Sequence, residues 1–262
     1  MLKRSSKENS ELEGIVSSGR NAVKLLVSVV NKREALEAVK GEARIVDVKN
    51  PKEGSLGANF PRVIRQVKEI VPDNVEVSAT IGDLPNLPGT ASLAALGAAV
   101  SGANYVKVGL FGVKTSAEAT ILMREVCRAV KDYNKTSKVI AAGYADFEKV
   151  GCLNPLKLPQ VAYKAEANGA MIDVKIKNSE SKLFNFLNDR ELKRFADEAH
   201  NSNLIAALAG SLDRQDVQRL YDLGADVIGV RRAVCSKRDR LKGEVQRKTV
   251  LEFAKEIRRC EQ

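Results

Sequence analysis

Residues 44–61 read RIVDVKNPKEGSLGANFP. A run of β-branched residues ends on Asp47 and Lys49 and then enters a loop carrying Pro51, Gly54 and Gly57. Such runs favour a pleated strand, in which alternate residues share a face. Ala43, Ile45, Asp47 and Lys49 are thus expected to point into a core, with Arg44, Val46 and Val48 on the other side. Asp47 and Lys49 then lie about 6–7 Å apart on one face, at the strand's C-terminal end. Apolar residues would fill both places without a desolvation penalty. The stretch therefore asks whether the two charges are a surface ion pair or a reactive pair.

Working outward, the same kind of run recurs seven more times. It appears as KLLVSVV (24–30), VEVSATIG (75–82), YVKVGLF (105–111), KVIAAGYA (138–145), AMIDVKI (170–176), LIAALAGS (204–211) and VIGVRR (227–232). Helical periodicity lies between them, clearest over 116–134, 189–203 and 212–224. Gly169 and Gly224 stand where helix C-caps are expected. Eight strand-then-helix units predict an α/β fold, a (β/α)8 TIM barrel over residues 23–262. A doubly wound open sheet would want a Gly-x-Gly-x-x-Gly turn after an early strand, and the chain has none. Residues 1–22 read as a polar, mobile extension without the apolar region of a secretory signal.

Composition narrows the function. The 262 residues include no apolar run of 18, so no membrane span is expected. Cys127, Cys152, Cys235 and Cys260 form no C-x-x-C pair, which argues against a zinc site or a disulfide framework and fits a reducing cytoplasm. His200 is the single histidine and sits near the end of a helical pattern, where it reads as structural. Serine–histidine chemistry and multi-histidine metal sites are therefore disfavoured. The formal charge is +10, from 43 Lys and Arg against 33 Asp and Glu, with 5% aromatic residues. No nucleic-acid motif accompanies it, so a nucleic-acid partner is disfavoured and a small phosphorylated substrate fits the same positive field.

The polar residues at strand ends carry the chemistry. Alternation groups Tyr105, Lys107 and Gly109 on the fourth strand, and Met171, Asp173, Lys175 and Lys177 on the sixth. Strands two, four and six thus each place lysine near one rim, and alternate strands feed a common layer in such barrels. Clustered ammonium groups lower one another's pKa, and a neutral lysine can attack a carbonyl to form a Schiff base. A neighbouring aspartate can move protons. Gly210 and Ser211 after the seventh strand, with Gly229 and Arg231 on the eighth, mark a phosphate seat. Together these suggest aldolase-type chemistry on a sugar phosphate. Asp83 and Asp146, in the long segments 82–90 and 143–155, read as turn or cap residues.

The stretches VDVKNPKEGSLGANFP (46–61), VSATIGDLPNLPGTASLAALGAAVSGANYVKVGLFGVK (77–114) and AAGYADF (141–147) resemble the (5-formylfuran-3-yl)methyl phosphate synthase family of methanofuran biosynthesis. FADEAH (195–200), ALAGS (207–211) and IGVR (228–231) extend the resemblance from about residue 24 to the end. It implies a TIM-barrel lyase without metal or organic cofactor. The implied reaction condenses two glyceraldehyde 3-phosphate molecules into a furan aldehyde phosphate, with loss of one phosphate and water. It implies Lys49 as the Schiff-base lysine, Lys107 as the proton acceptor, and Asp47, Asp173 and Lys177 as acid–base or binding partners. Asp47 and Lys49 are then the reactive pair. The chain departs from the family pattern at Lys175, with one extra residue after Lys177, at Arg232 in place of glycine, and in its N-terminal extension. Lys175 and Lys177 both stay candidates, and a homo-oligomer is left open. Another Schiff-base aldolase on a sugar phosphate, or a non-catalytic basic binding protein, are the rival readings.

Overall fold

The computed structural model describes residues 22–178 and 180–262. The extension expected over 1–22 lies outside the described residues as far as Asn21. Strand and helix alternate as β1 (Lys24–Val29), α1 (Lys32–Lys40), β2 (Ile45–Val48), α2 (Pro61–Lys68), β3 (Glu76–Pro85), α3 (Pro88–Val100), β4 (Tyr105–Gly112) and α4 (Ser116–Tyr133). They continue as β5 (Lys138–Tyr144), α5 (Phe147–Val150), α6 (Leu158–Lys164), β6 (Gly169–Asp173), α7 (Asp189–Asn201), β7 (Ile205–Leu208), α8 (Val217–Asp222), β8 (Val227–Val230) and α9 (Arg247–Cys260). Each strand pairs in parallel with the next, and β8 pairs with β1, so the sheet closes into an eight-stranded (β/α)8 barrel. Closure removes both sheet edges, and the helices cover the outer face.

Local chemistry sets the element ends. Asn31 caps α1 by accepting from the Glu34 N–H. Thr115 with Glu118, and Asn188 with Glu191, form reciprocal capping boxes at α4 and α7, each satisfying donors that the first helical turn leaves unpaired. Pro61 and Pro88 open α2 and α3, where a missing N–H is harmless. The side-chain alternation of the strands splits the core in two. Val27, Val46, Val77, Val106 and Ala170 pack outward against the helices. Leu26, Ile45, Tyr105, Ile140, Met171, Ala207 and Val227 fill the interior. At the N-terminal end Glu76 accepts from Lys24 Nζ and from the Tyr105 hydroxyl at 2.9 Å. The interior is thus closed by polar groups at its N-terminal end, packed with apolar side chains above them, and polar again toward the C-terminal rim.

Three expectations need correction. Gly169 is no helix cap: α6 ends at Ala165, and Gly169 opens β6 because a Cβ there would sit 2.8 Å from both Ile205 Cβ and Ile205 O. Gly224, at φ +98°, does follow α8 as the residue past its C-cap. The segment 82–90 is not a long loop, since β3 runs to Pro85 with register shifts against β4. Ala43 lies before β2 and packs in the outer core, its N–H bonded to Ala38 O at the end of α1.

These observations predict opposite effects for two glycine changes, read as urea midpoints. Gly169→Ala should lower stability by about 1–3 kcal/mol through overpacking. Gly97→Ala, inside α3 where a Cβ meets nothing within 4 Å, should raise it by about 0.5–1 kcal/mol. A neutral Gly169→Ala would contradict the packing assigned to β6.

Candidate active site

The register that closes the barrel brings Ser28, Asp47 and Ser78 side by side on β1, β2 and β3, with Lys107 on β4 facing the same interior. Asp47 is fully buried, and Lys49, Lys107 and Asp173 are nearly so. Lys107 Nζ lies 2.9 Å from Asp47 Oδ2, which also accepts from Ser28 Oγ at 2.9 Å. Asp47 Oδ1 finds no donor in hydrogen-bond geometry. Lys177 Nζ lies 2.5 Å from Asp173 Oδ1, and that oxygen also accepts the Val174 N–H at 2.7 Å. Lys49 Nζ makes no ion pair among the described residues; it donates to Ser55 O at 3.2 Å.

Two of the three lysines therefore have a carboxylate to themselves and the third does not. Burial lowers the Lys49 ammonium, and the Lys177 and Lys107 charges lower it further. Asp173 and Asp47 pull the other way, and the result is a pKa of about 7. Removal from water is the main cause, ahead of the repulsion among ammonium groups that the sequence suggested. For Asp173 burial acts upward, but Lys177 and Lys49 outweigh it and hold the carboxyl at about 2. Asp47 shows the same contest: burial raises it, and Lys107 first, then Lys49, bring it below its ordinary value. The site thus holds two ionised carboxylates and an amine that is half neutral near pH 7.

The loop after β2 builds the wall beside Lys49. Ser55 donates its hydroxyl to Val174 O at 2.8 Å and Asp173 Oδ2 at 3.3 Å. Asp83 accepts the N–H groups of Ser55 and Leu56 at 2.9 and 3.1 Å and the Tyr144 hydroxyl at 2.5 Å. Gly54 sits at φ +145°, where a Cβ would come within 2.1 Å of Asp83 Oδ2, so glycine is required for this fold-back. Asp83 and Asp146 exceed the turn-and-cap role expected of them. Asp146 takes the N–H groups of Lys175 and Ile176 at 2.7 and 2.8 Å, which turns the chain just past β6.

That turn separates the two candidate lysines. The strand stops at Asp173, so alternation no longer applies to Lys175 and Lys177. Lys175 goes to Asp83 at 3.2 Å and over the Phe111 ring, outside the cavity. Lys177 returns to Asp173 and lines the cavity. This cavity, about 480 Å3, also exposes Lys49, Lys107, Gly210, Ser211 and Gly229. Eight cationic side chains and only two carboxylates line it. It suits an anionic small molecule, within the roughly 300–1,000 Å3 typical of ligand sites.

The seat after β7 and β8 has open donors. Gly210 and Ser211 both adopt positive φ, and among the described residues the N–H groups of Gly210, Ser211 and Leu212 find no protein acceptor. Arg231 lines the cavity, but its guanidinium is engaged elsewhere. It donates to Glu34 Oε2 at 2.8 Å, to Ser28 O at 2.9 Å and to Arg240 O at 2.8 Å. Arg232 and Arg240, which the sequence reading did not place in the site, line the same mouth. Only the departure noted at Arg232 signalled either of them. His200 pairs with Asp226 at 2.9 Å, far from this chemistry in the fold, at the end of α7. The four cysteines are unpaired, and among the described residues no helix is long and apolar enough to cross a membrane.

The geometry predicts a distinctive pH profile for Lys49. Its modification by an amine-selective aldehyde, read by peptide mass spectrometry, should rise through an inflection near pH 7. Asp173→Asn removes a charge that raises the Lys49 pKa, so the inflection should move down. An upward move would contradict the electrostatics described here.

Comparison with known proteins places this chain in a family. The 4-HFC-P synthase family model matches residues 25–254. A protein of Methanopyrus kandleri named (5-formylfuran-3-yl)methyl phosphate synthase is 50% identical over 234 residues, covering 89% of this chain and 98% of that one. Its namesake in Methanosarcina acetivorans is 51% identical over 232 residues, with 88% and 99% covered. Among solved structures, KGPDC from Streptococcus mutans aligns with a TM-score of 0.61 at 14% identity, over 91% of this chain and 99% of that chain. The 3-hexulose-6-phosphate synthase of Salmonella typhimurium gives 0.61 at 16% identity, over 88% and 98%. At these identities the two structures share the barrel fold.

Proposed function

The chain belongs to the 4-HFC-P synthase family, and from that premise we propose that it condenses two glyceraldehyde 3-phosphate molecules into (5-formylfuran-3-yl)methyl phosphate, in the synthesis of methanofuran or a methanofuran-like cofactor. The observation that carries the reading is Lys49: a buried amine with a pKa of about 7, facing a cationic cavity that also holds a phosphate seat. The reaction is a lyase reaction through a lysine Schiff base, with release of phosphate and water, and needs no metal or organic cofactor.

Neutral Lys49 attacks the aldehyde of one triose phosphate and forms an iminium, which draws electrons from the neighbouring carbon. Lys107, after passing a proton to Asp47 Oδ2 at 2.9 Å, takes the proton from that carbon. The resulting enamine adds to the second aldehyde. Asp173 and Lys177 flank Lys49 and hold the charge balance as the amine becomes cationic. Elimination of one phosphate and closure of the ring follow, and aromaticity of the furan drives the last dehydration. The N–H groups of Gly210, Ser211 and Leu212 anchor a substrate phosphate through the sequence.

Incubating the chain with glyceraldehyde 3-phosphate, then adding borohydride, should trap an adduct on Lys49 by peptide mass spectrometry. The unreduced sample should gain furan absorbance and free phosphate together. Lys49→Ala and Lys49→Arg should lose turnover by about 10³-fold or more with the fold intact, as removal of a covalent nucleophile does. An adduct without furan would point to another sugar-phosphate aldolase. A Lys49→Ala chain keeping most of its activity would sink the Schiff-base assignment.

A further inference from the structure

We infer that Arg232, not its neighbour Arg231, is the guanidinium that grips a substrate phosphate in the seat after β7 and β8, and that it sets the affinity for phosphorylated substrate. This rests on the reading of the cavity as a triose-phosphate site. Both arginines follow β8 and both line the cavity. Their surroundings differ. Arg231 is buried and its charge is matched by Glu34, which is buried with it. Three of its nitrogens already donate to protein acceptors. It braces β8 against β1 and α1 and has little left for a ligand.

Arg232 is half-open to the cavity, and its Nε is buried without a partner. A buried guanidinium N–H lacking an acceptor is costly and uncommon. Its Nη2 donates to Ser211 O at 3.3 Å, which fixes the side chain beside the unpaired N–H groups of Gly210, Ser211 and Leu212. Among the described residues the carboxylate it pairs with is Asp213, 3.5 Å from Nη2. Asp213 is already occupied by Lys182 at 2.8 Å and by Arg238 at closer range. Three cations thus share one carboxylate, and the cluster keeps a positive excess at the edge of the seat. A phosphate dianion on those backbone donors would meet the open edge of Arg232, whose planar fork matches phosphate oxygens. The Asp213 cluster holds that fork in place while leaving its charge unspent.

The test uses the full chain as wild type, Arg232→Gln and Arg232→Lys. Inorganic phosphate is titrated calorimetrically, KM and kcat are measured with glyceraldehyde 3-phosphate, and Tm is recorded for each. Arg232→Gln should weaken phosphate binding and raise KM by about 10- to 100-fold, as loss of charge-assisted hydrogen bonds does, with a smaller fall in kcat and an unchanged Tm. Arg232→Lys should recover part of the phosphate affinity. An Arg232→Gln chain that binds phosphate as wild type does, or that changes only in Tm, overturns the assignment, as does a wild type that binds no phosphate. Should the wild type bind phosphate, lose it in Arg232→Gln and still form no furan, the Arg232 assignment stands and the synthase reading falls.

Discussion

An ammonium group taken out of water without a carboxylate of its own is the constraint around which this barrel is organised. Lys49 shares its interior with two aspartates and two other lysines, but Asp47 is paired to Lys107 and Asp173 to Lys177. Three cations against two anions leaves one amine short, and burial bears on the short one as the main cause of its lowered pKa. A lysine on a solvated surface would stay charged near neutrality. The odd number is delivered by the fold itself, because Lys49 follows directly on β2, Lys107 lies inward within β4, and the segment after β6 returns a third. Adding a carboxylate here would raise the Lys49 pKa and so disarm it as the proposed nucleophile.

Holding such an amine in place takes structure beyond the lysines. The segment between Lys49 and Pro61 folds back on itself, with Asn50 N–H bonded to Gly57 O at 2.9 Å and Thr80 Oγ1 to the same carbonyl at 2.8 Å. Asp83 binds this fold-back from β3 and links it to Tyr144 on β5 and to Lys175 past β6. Ser55 then connects Lys49 directly to Asp173. A single carboxylate on one strand thus ties four segments of the rim together, and the nucleophile is positioned by backbone groups rather than by an ion pair that would raise its pKa.

The fold was legible because parallel strands buried on both faces leave an unmistakable trace of β-branched runs separated by helical periodicity. All eight strands overlap the runs read from the sequence, although β3 continues past its run to Pro85, β4 to Gly112, and β6 begins one residue early at Gly169. The inward placement of Ile45, Asp47, Lys107 and Asp173 followed from alternation and holds wherever a strand continues. Alternation failed at Ala43 and Lys175, which lie outside their strands, while Lys177 reaches the expected side through a turn and not through strand alternation. The strand ends at Asp173 because a carboxylate from another loop, Asp146, captures the next two N–H groups, and no local pattern announces a long-range bond of that kind. The weights in the Lys49 pKa were likewise out of reach, since burial is a property of the closed barrel and not of a motif. Arg231 and Arg232 are adjacent residues of one type, and only Glu34, nearly two hundred residues away, distinguishes them.

The two halves of the cavity also depend on each other through charge. The mouth carries a cationic field, and burial favours the neutral form of Lys49, the form that attacks a carbonyl. Once a triose phosphate is seated, its negative charge enters the same cavity and offsets that field. Covalent addition then converts the neutral amine into a cationic iminium, at the moment when the surroundings have become able to stabilise a positive charge. In the proposed reaction the substrate thus supplies the counter-charge that the protein withholds. Loss of one phosphate reverses the balance, and a cavity again short of anions favours the return of Lys49 to its neutral amine. The same deficit of carboxylates that prepares the nucleophile would in this way help to release it.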